Sequence, residues 1–582
     1  MIHDEATDQE PTRRQPAISI LRWTVLVLLF TAAAVYWTWP LASDLDAGLP
    51  LGSETVATVP LFNLWTLSWN VEKLGEGFSG YWQAPIFHPA ADAFAFSEPQ
   101  PVFGLLAFLL SRFGLSMVAV YGLLLMASLA ANGVLTVALL RRVGLAWLPA
   151  MAGGFLVLVL PFTHQELGVL QLVPLAGVLC FALAVLAFAD GPKLSTGLAL
   201  GLALAFSYGL SAQVAVFCAL AATPAAFWLW WPQRRNRQAW IGLGAGVVLF
   251  FGLVSPLLVA QLRATSNEDF VRSAETIKKR SARPAHYLET PWPQLLPTPG
   301  IMTADKPSAR AFWPGTVRVL LAVGAVVGAC RAGRRRRHGV AAVLVLGTGV
   351  VLSFGGHIGA FGFSLADALR VVPGLGQIRN FFRFALFAQL AVALLAAGSL
   401  HWLLGAAGRR VGTGTWRKRV ETALPVAALA LLAVVEMPTS PGTIEPIPPL
   451  DQPLPWLGWI EEQTAEDDVL AFLPFPKGKG SADYAVTAQW MFWQQRHWRP
   501  MVNGYSGFFP RRFKQLKKIM EDFPSPESLT ALREAGVTYC IVPRRVIEAS
   551  PPPDTSSPVQ LEMVFRDEQY ELAIFALRGG SP

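Results

Sequence analysis

ILRWTVLVLLFTAAAVYWTWP, residues 20–40, carries no charge after Arg22 and is long enough to cross a bilayer, which takes about 20 apolar residues. It follows a polar tail, residues 1–19, and exceeds the roughly 7–15 residues of a signal-peptide core. No small-residue cleavage signal stands behind it, so it reads as a retained membrane helix. The next segment, residues 41–115, holds Asp44, Asp46, Glu54, Glu72, Glu76, Asp92 and Glu98 against only Lys73 and Arg112. A long acidic loop directly after a first span is unusual, because most loops between membrane helices are short.

The rest of the chain has the same apolar character. Of 582 residues, 53% are hydrophobic and 15% charged, where soluble domains carry about 25% charged residues. Mean hydropathy is +0.42. The 47 Lys+Arg exceed the 39 Asp+Glu, but they sit in short clusters between apolar runs, as topology signals do. That pattern argues against a nucleic-acid partner. Cys180, Cys218, Cys330 and Cys540 are too scattered to give a disulfide framework or a thiolate metal site.

Apolar runs predict a polytopic α-helical membrane protein of about eleven spans, near 20–40, 116–140, 146–163, 168–189, 194–211, 213–231, 239–262, 315–331, 339–355, 383–405 and 420–437. VFGLLAFLL (102–110) is too short to cross and is expected to lie along the interface. Basic residues near span ends stay preferentially in the cytoplasm. The clusters at Arg13-Arg14, Arg141-Arg142, Lys193, Arg234-Arg235, Arg334–Arg337 and Arg409-Arg410 fall on alternate loops. The N-terminus is therefore expected inside, and the C-terminus outside. The loops 41–115, 263–314 and 356–382 then share the outer face with the tail. Cytoplasmic connections are short and no GxxxxGK[ST] is present, which argues against an ATP-consuming domain.

After the transmembrane domain, 20–437, a Pro-rich linker, 438–455, leads into residues 456–582, read as a small α/β domain. VLAFLPFP (469–476) and VTYCIVP (537–543) read as buried strands, and VQLEMVF with YELAIFAL as a closing hairpin. In PSPESLTALREAGVTY, Ser525 suits the N-cap, Pro526 the first helical position and Gly536 the stop. In the first loop, Trp65 and Trp69 share a helical face with Leu61, predicting an amphipathic helix at the interface. Tyr81, Trp82, Phe87, Phe94 and Phe96 read as further interface aromatics.

The order of a first span, a long acidic outer loop, a hydrophobic bundle and a C-terminal external α/β domain resembles the GT-C superfamily of integral-membrane glycosyltransferases. More closely, VPLFNLWTLSWN, APIFHP with FAFSEPQP, VPGLGQIRNFFRFALFAQLAV, HWRPMVNGYSGFFP and LREAGVTYCIVP are similar to sequences of a bacterial group of large membrane proteins related to it. The resemblance covers most of the chain. It implies a GT-C-like bundle in the bacterial inner membrane and a sugar donor carried on polyprenyl phosphate. It further implies a glycan, lipid or protein acceptor and an acidic catalytic residue in the first outer loop. Where the superfamily usually has Asp, this chain has Glu54.

Glycosyl transfer needs a base for the acceptor hydroxyl, and Glu54 in its GSET turn is the first candidate. It is alternatively a cap of the following helix. Glu98 reads as a carboxylate at the N-terminus of the helix at 102–110 or as a second acid. His88 reads as a proton-transfer group or a packed member of the aromatic segment. A donor phosphate needs cations on the same face. Arg379 and Arg383, expected at i, i+4 on one helical face, are one set, and Lys278, Lys279 and Arg280 the other. Headgroup binding or a salt bridge to a first-loop acid are the plainer readings. His164, Gln165 and Glu166, in THQELGVLQL, are read as cavity-lining with Trp65 and Trp69, or as turn polarity. In the tail, Asn503-Gly504 suggests a tight turn exposing Tyr505. No metal motif is evident, and the acids leave room for a divalent ion. The competing functions are a transporter, for which no internal repeat is seen, and a non-catalytic glycolipid-binding protein.

Overall fold

The computed structural model describes residues 14–268, 270, 272–304, 310–329, 336–360, 363–370, 375–411, 416–437, 442–549 and 559–579. Residues 1–13, Cys330 and the basic stretch 331–335 lie outside them.

Every apolar run read as a span contributes a helix among the described residues. In chain order the helices are α1 (Arg14–Trp37), α2 (Thr58–Gly75), α3 (Pro101–Ser111), α4 (Met117–Arg142), α5 (Trp147–Leu158), α6 (Pro161–Gln165), α7 (Ala176–Asp190), α8 (Leu194–Leu210), α9 (Ala212–Trp230) and α10 (Arg237–Glu268). They continue with α11 (Ala274–Lys279), α12 (Thr316–Ala329), α13 (Arg336–Ser353), α14 (Leu365–Arg370), α15 (Ala385–Val411) and α16 (Trp416–Val435). Among the described residues, seven stretches are long and apolar enough to cross a membrane: 20–37, 117–142, 147–165, 170–190, 212–233, 237–268 and 381–409. The helix α8 and the apolar parts of α12 and α16, Thr316–Gly328 and Ala423–Val435, are shorter, and α13 begins on Arg336-Arg337. Among the described residues, length and composition thus support seven crossings by long helices, with about eleven expected from the apolar runs.

Two devices hold the bundle together. Gly197 and Gly201 of α8 lie against Gly242 and Gly246 of α10, where a Cβ would run into the opposing backbone carbonyls. This small-residue seam lets two helices touch backbone to backbone. At the other device, Glu436 accepts from the backbone N–H groups of Val317 (2.7 Å) and Arg318 (3.0 Å) at the start of α12. The Arg318 guanidinium turns back to the carbonyls of Ala433 (2.8 Å) and Val434 (3.1 Å). Both side chains are buried, so this pair is a closed electrostatic staple between α12 and the end of α16.

The C-terminal domain is built as the sequence suggests. It comprises α17 (Pro455–Gln463), α18 (Ala485–Gln494), α19 (Arg511–Ile519), α20 (Pro526–Glu534) and α21 (Arg544–Ala549) around a sheet. In chain order the strands of the whole chain are β1 (Gly48–Pro50), β2 (Glu289–Thr290), β3 (Met302–Thr303), β4 (Gly359–Ala360), β5 (Phe363–Ser364), β6 (Ile444–Pro446), β7 (Val469–Phe472), β8 (Val537–Pro543), β9 (Gln560–Asp567) and β10 (Leu572–Arg578). The domain sheet has the order β7-β8-β10-β9, with β7 parallel to β8 and the rest antiparallel. Ser525 caps α20 by accepting from the Ser528 N–H, and Gly536 takes φ +82° just past its end.

Three expectations are corrected. The helix α2 does not rest on the membrane surface: Trp65 and Trp69 are buried, their rings stacked at 6.2 Å. Trp65 Nε1 donates to Gln494 Oε1 of α18 (3.1 Å) and Trp69 Nε1 to the Tyr81 carbonyl (3.0 Å). The apolar face that suits an interface is covered instead by the C-terminal domain. For the same reason Tyr81, Phe87, Phe94 and Phe96 are core residues rather than interface aromatics, with Phe87 5.0 Å from the Phe513 ring. The described part of the linker is not a free tether either. It forms β6, antiparallel to β1, pairing Gly48 with Pro446 and Pro50 with Ile444.

By contrast α3 leaves Leu105, Leu106 and Leu109 exposed on one face, as a helix along an interface would.

Candidate functional site

Two acid-bearing turns interlock at the end of the bundle covered by the C-terminal domain. Gly52 takes φ +59°, and its missing Cβ lets the turn 51–54 lie on the backbone of residues 165–168. Gly168 returns the fit, its α-carbon against the Leu51 carbonyl. Ser53 N donates to the Gln165 carbonyl (2.7 Å) and Glu54 N to that of Leu51 (3.0 Å). Glu54 of the first loop is thereby set beside Glu166 of the α6–α7 connection.

Arg383 joins these acids to the rest of the bundle. Its Nη2 lies 3.4 Å from Glu166 Oε2, and its Nη1 donates to Gln213 Oε1 (2.8 Å). The Gln213 N–H donates in turn to Glu98 Oε1 (2.9 Å), whose Oε2 accepts from Ser211 Oγ (2.9 Å). Glu98 therefore caps α9, not α3 as expected. Gln100 in the left-handed region and Pro101 turn the chain away, leaving the carboxylate directed at the start of α9.

Burial raises the Glu54 carboxyl above its ordinary range, against the opposing pull of Arg383, a hydrogen bond from Ser481 and Arg280. Glu166 is also pushed up, by burial first and by the neighbouring Glu54 charge, again against Arg383 and Arg280. Burial likewise raises Glu98, opposed by its bonds from Ser211 and Gln213.

Arg379 and Arg383 do meet, though not on one helical face. Residues 381–384 form a 3₁₀ turn, α15 begins only at Ala385, and Arg379 lies on the connection before them. The Arg379 guanidinium is pulled below its ordinary range by burial first, and by the charges of Arg383 and Arg280, with Tyr505 opposing. Three guanidinium groups thus repel one another beside the carboxylates. Arg280 belongs to this group, and its carbonyl accepts from Phe382 N (3.2 Å). Lys278 and Lys279 are exposed on α11 and are not among the charges acting on the acids.

The C-terminal domain closes the cluster. Ser481 Oγ lies 3.5 Å from Glu54 Oε2, and the Thr58 hydroxyl donates to the Ser481 carbonyl (2.8 Å). Tyr505, half-buried, feels Glu54, Arg379, Arg280 and Arg383, and burial pushes its phenol up to about 12. The residues before it make no exposed turn. Asn503 bonds the Phe472 backbone in both directions, at 2.7 and 2.8 Å, and Gly504 lies on the Phe87 ring.

The other expected residues lie around this centre. His164 and Gln165 are fully buried. The ring of His164 is 3.1 Å from the Leu158 carbonyl, and Gln165 donates to that of Ala311 (2.9 Å). The backbone N–H of His88 donates to the Met501 carbonyl (3.0 Å), its ring lies by Gly536, and burial lowers the imidazole. It is not among the charges acting on the carboxylates. No group of three or more potential metal ligands occurs among the described residues. An apolar cavity of about 290 Å³, lined by Leu139, Phe181, Ala225, Val345 and Trp402, holds no acid and is separate from the cluster.

Sequence reading missed Gln213, Ser211 and Ser481, which are ordinary polar residues without a distinguishing pattern. It also passed over Arg318 and Glu436, although a lone charge in or beside an apolar run is a readable signal.

No family model matches this sequence, and no curated protein matches it either. Solved structures do. The arabinofuranosyltransferase AftD from Mycobacteria aligns over 98% of this chain with a TM-score of 0.57 at 14% identity, and a mutant form of AftD aligns at 0.56 and 14%. This chain spans 40% of the AftD chain's length. ArnT from Cupriavidus metallidurans, in its apo state, aligns at a TM-score of 0.46 and 13% identity, over 96% of this chain and 98% of its own. The chain is a multi-pass membrane protein with a GT-C-like fold. In particular, its bundle and C-terminal domain together follow the fold of AftD.

Proposed function

We propose that this protein is a membrane glycosyltransferase that moves a sugar from a polyprenyl-phosphate-linked donor to an envelope glycan, lipid or protein acceptor at the outer face of the membrane. The observation that carries the reading is the juxtaposition of the half-buried Glu54 carboxylate with Arg383, Arg379 and Arg280. A base and an excess of positive charge side by side suit the two ends of a glycosyl transfer.

In this reading the acceptor oxygen attacks the anomeric carbon and loses its proton to Glu54. The bond from the anomeric carbon to the phosphate oxygen breaks, and its electron pair leaves with the polyprenyl phosphate. Arg383, whose Nε has no hydrogen-bond partner among the described residues, and Arg379 stabilise that leaving charge. Glu166 and Gln213 hold the Arg383 guanidinium in place, and Tyr505 and Ser481 close the site from the C-terminal domain. Burial strengthens each of these interactions by excluding water.

Mass spectrometry of lipids co-purified with the full chain after gentle extraction tests the reading. Recovery of a polyprenyl phosphate or a polyprenyl-linked sugar, lost in Arg379→Gln with Arg383→Gln, is the expected result. Its absence from the wild type would count against the proposed donor.

A further inference from the structure

The apolar cavity of about 290 Å³ lies apart from the carboxylate cluster and has no part in the proposed chemistry. It is framed by α4, α7, α9, α12, α13 and α15. Along α15 its wall runs from Phe387 to Trp402, about 22 Å of helix, and along α9 from Cys218 to Leu229, about 16 Å. The volume drawn out over that length makes a narrow channel along the helices rather than a rounded void. Its length reaches the roughly 15 Å depth of one leaflet's hydrocarbon. Among the described residues, no hydroxyl, amide or carboxylate side chain lines it, so water would find few partners inside.

One end of the channel is polar. The helices α13 and α15 run antiparallel beside it, with Gly349 on the backbone of Phe384 and Ala388 at one end and His338, His401 and Trp402 lining the other. At that second end Ala146 N donates to His401 Nδ1 (3.0 Å), and Trp228 Nε1 of α9 donates to the Arg337 carbonyl (3.1 Å). Arg142 is paired there with Asp190 at 2.8 Å. Arg337, next to the lining residue His338, is different: its Nε and Nη2 are buried without a hydrogen-bond partner among the described residues. A guanidinium with two buried, idle donors calls for an anion. His401 lies about 27 Å along α15 from Arg383, so this end of the bundle is remote from the carboxylate site.

An apolar channel as deep as one leaflet, with idle guanidinium donors at its polar end, has the length and the charge to match a lipid with an acidic headgroup. We propose that the channel holds one acyl chain of an anionic phospholipid whose phosphate rests at Arg337 and His338. A zwitterionic headgroup would bring its own cation to a rim that already carries Arg336 and Arg337, so the acidic headgroup is preferred. The chain fills space that α9, α13 and α15 leave open, and the phosphate supplies the acceptors that Arg337 lacks. This is a binding site at the opposite end of α15 from Glu54 and Arg383, and it stands whether or not the protein transfers sugars.

The test uses the full chain in detergent, stripped of lipid, and phosphatidylglycerol carrying a photoreactive group at the end of one acyl chain. Irradiation should label peptides of α9 and α15 that line the channel, such as those with Cys218 and Leu394. Unlabelled phosphatidylglycerol should compete at least about tenfold better than phosphatidylcholine. Ala222→Phe, which fills the channel without adding charge, should abolish the labelling. Ala342→Phe fills it from α13 and serves if the first variant does not fold. Arg337→Gln should remove the preference for phosphatidylglycerol without lowering the melting temperature of the lipid-free protein. Labelling confined to the exposed side chains of α10, equal competition by phosphatidylcholine, or undiminished labelling in a folded filling variant would overturn the proposal. So would displacement of the label by polyprenyl phosphate at lower concentration than by phosphatidylglycerol, which would assign the channel to a prenyl chain.

Discussion

Arg383 Nη2 lies 3.4 Å from Glu166 Oε2, and the two side chains are 16% and 3% exposed. This pair is where the loop after α6, the start of α9 through Gln213 and the approach to α15 converge. Removing the guanidinium would strand Glu166 in a buried site beside Glu54, with two carboxylates repelling each other. Arg383→Met should therefore destabilise the protein by about 3–5 kcal/mol, the usual cost of breaking a buried pair. Thermal unfolding in detergent measures it. Restoration by the second change Glu166→Gln would identify the stranded charge as the cause.

The pH dependence of transfer follows from Glu54. A base must be ionised to work, and burial raises this carboxyl above its ordinary 4.5. The acid limb of the pH–rate profile should accordingly lie at higher pH than an exposed glutamate would give. Arg280→Gln removes a charge that lowers the carboxyl, so it should move the limb higher still. Initial rates across a pH series check both. A limb at the ordinary glutamate position would contradict the assignment.

For stability the sign runs the same way. A buried carboxyl with a raised folded-state value binds its proton more tightly in the folded than in the unfolded chain. Its contribution is complete below the unfolded value near 4.5 and is lost as pH rises through the folded value.

The staple of Arg318 and Glu436 predicts a purely structural effect. Glu436 accepts two backbone N–H groups at the start of α12 and neutralises a guanidinium that is itself buried. Glu436→Gln should lower the unfolding temperature, by an amount corresponding to about 3–5 kcal/mol if Arg318 keeps its charge. The double change to Arg318→Met and Glu436→Leu should recover much of the loss.

Gly201→Val should separate α8 from α10, because a side chain there runs into the Gly246 backbone. Overpacking of this kind costs about 1–3 kcal/mol, and crosslinking between cysteines placed on the two helices would report the separation.

Features that depend on local chemistry were the most legible in the sequence. The capped helix from Pro526, the strands at 469–472 and 537–543 and the terminal hairpin all follow from caps, breakers and period. The helix α2 was legible as a helix, but its neighbour was not. An apolar stripe of Trp65 and Trp69 fits a membrane surface and a covering domain equally well, and only tertiary contact with Gln494 distinguishes them. Glu98 illustrates the same limit, since its true partner, the start of α9, is more than a hundred residues away. Glu54 could be singled out by its place after the first span. Its company could not, because Ser481 and Tyr505 reach it from the far end of the chain.

The central claim is that Glu54 takes the acceptor proton. Proteoliposomes containing wild type or Glu54→Gln, supplied with radiolabelled polyprenyl-phosphate sugars and cell-envelope acceptor, test it most directly. The account predicts transfer by the wild type and a loss of about 10²–10⁴-fold in the variant, with melting temperature and lipid binding retained. Transfer by Glu54→Gln at the wild-type rate would contradict it.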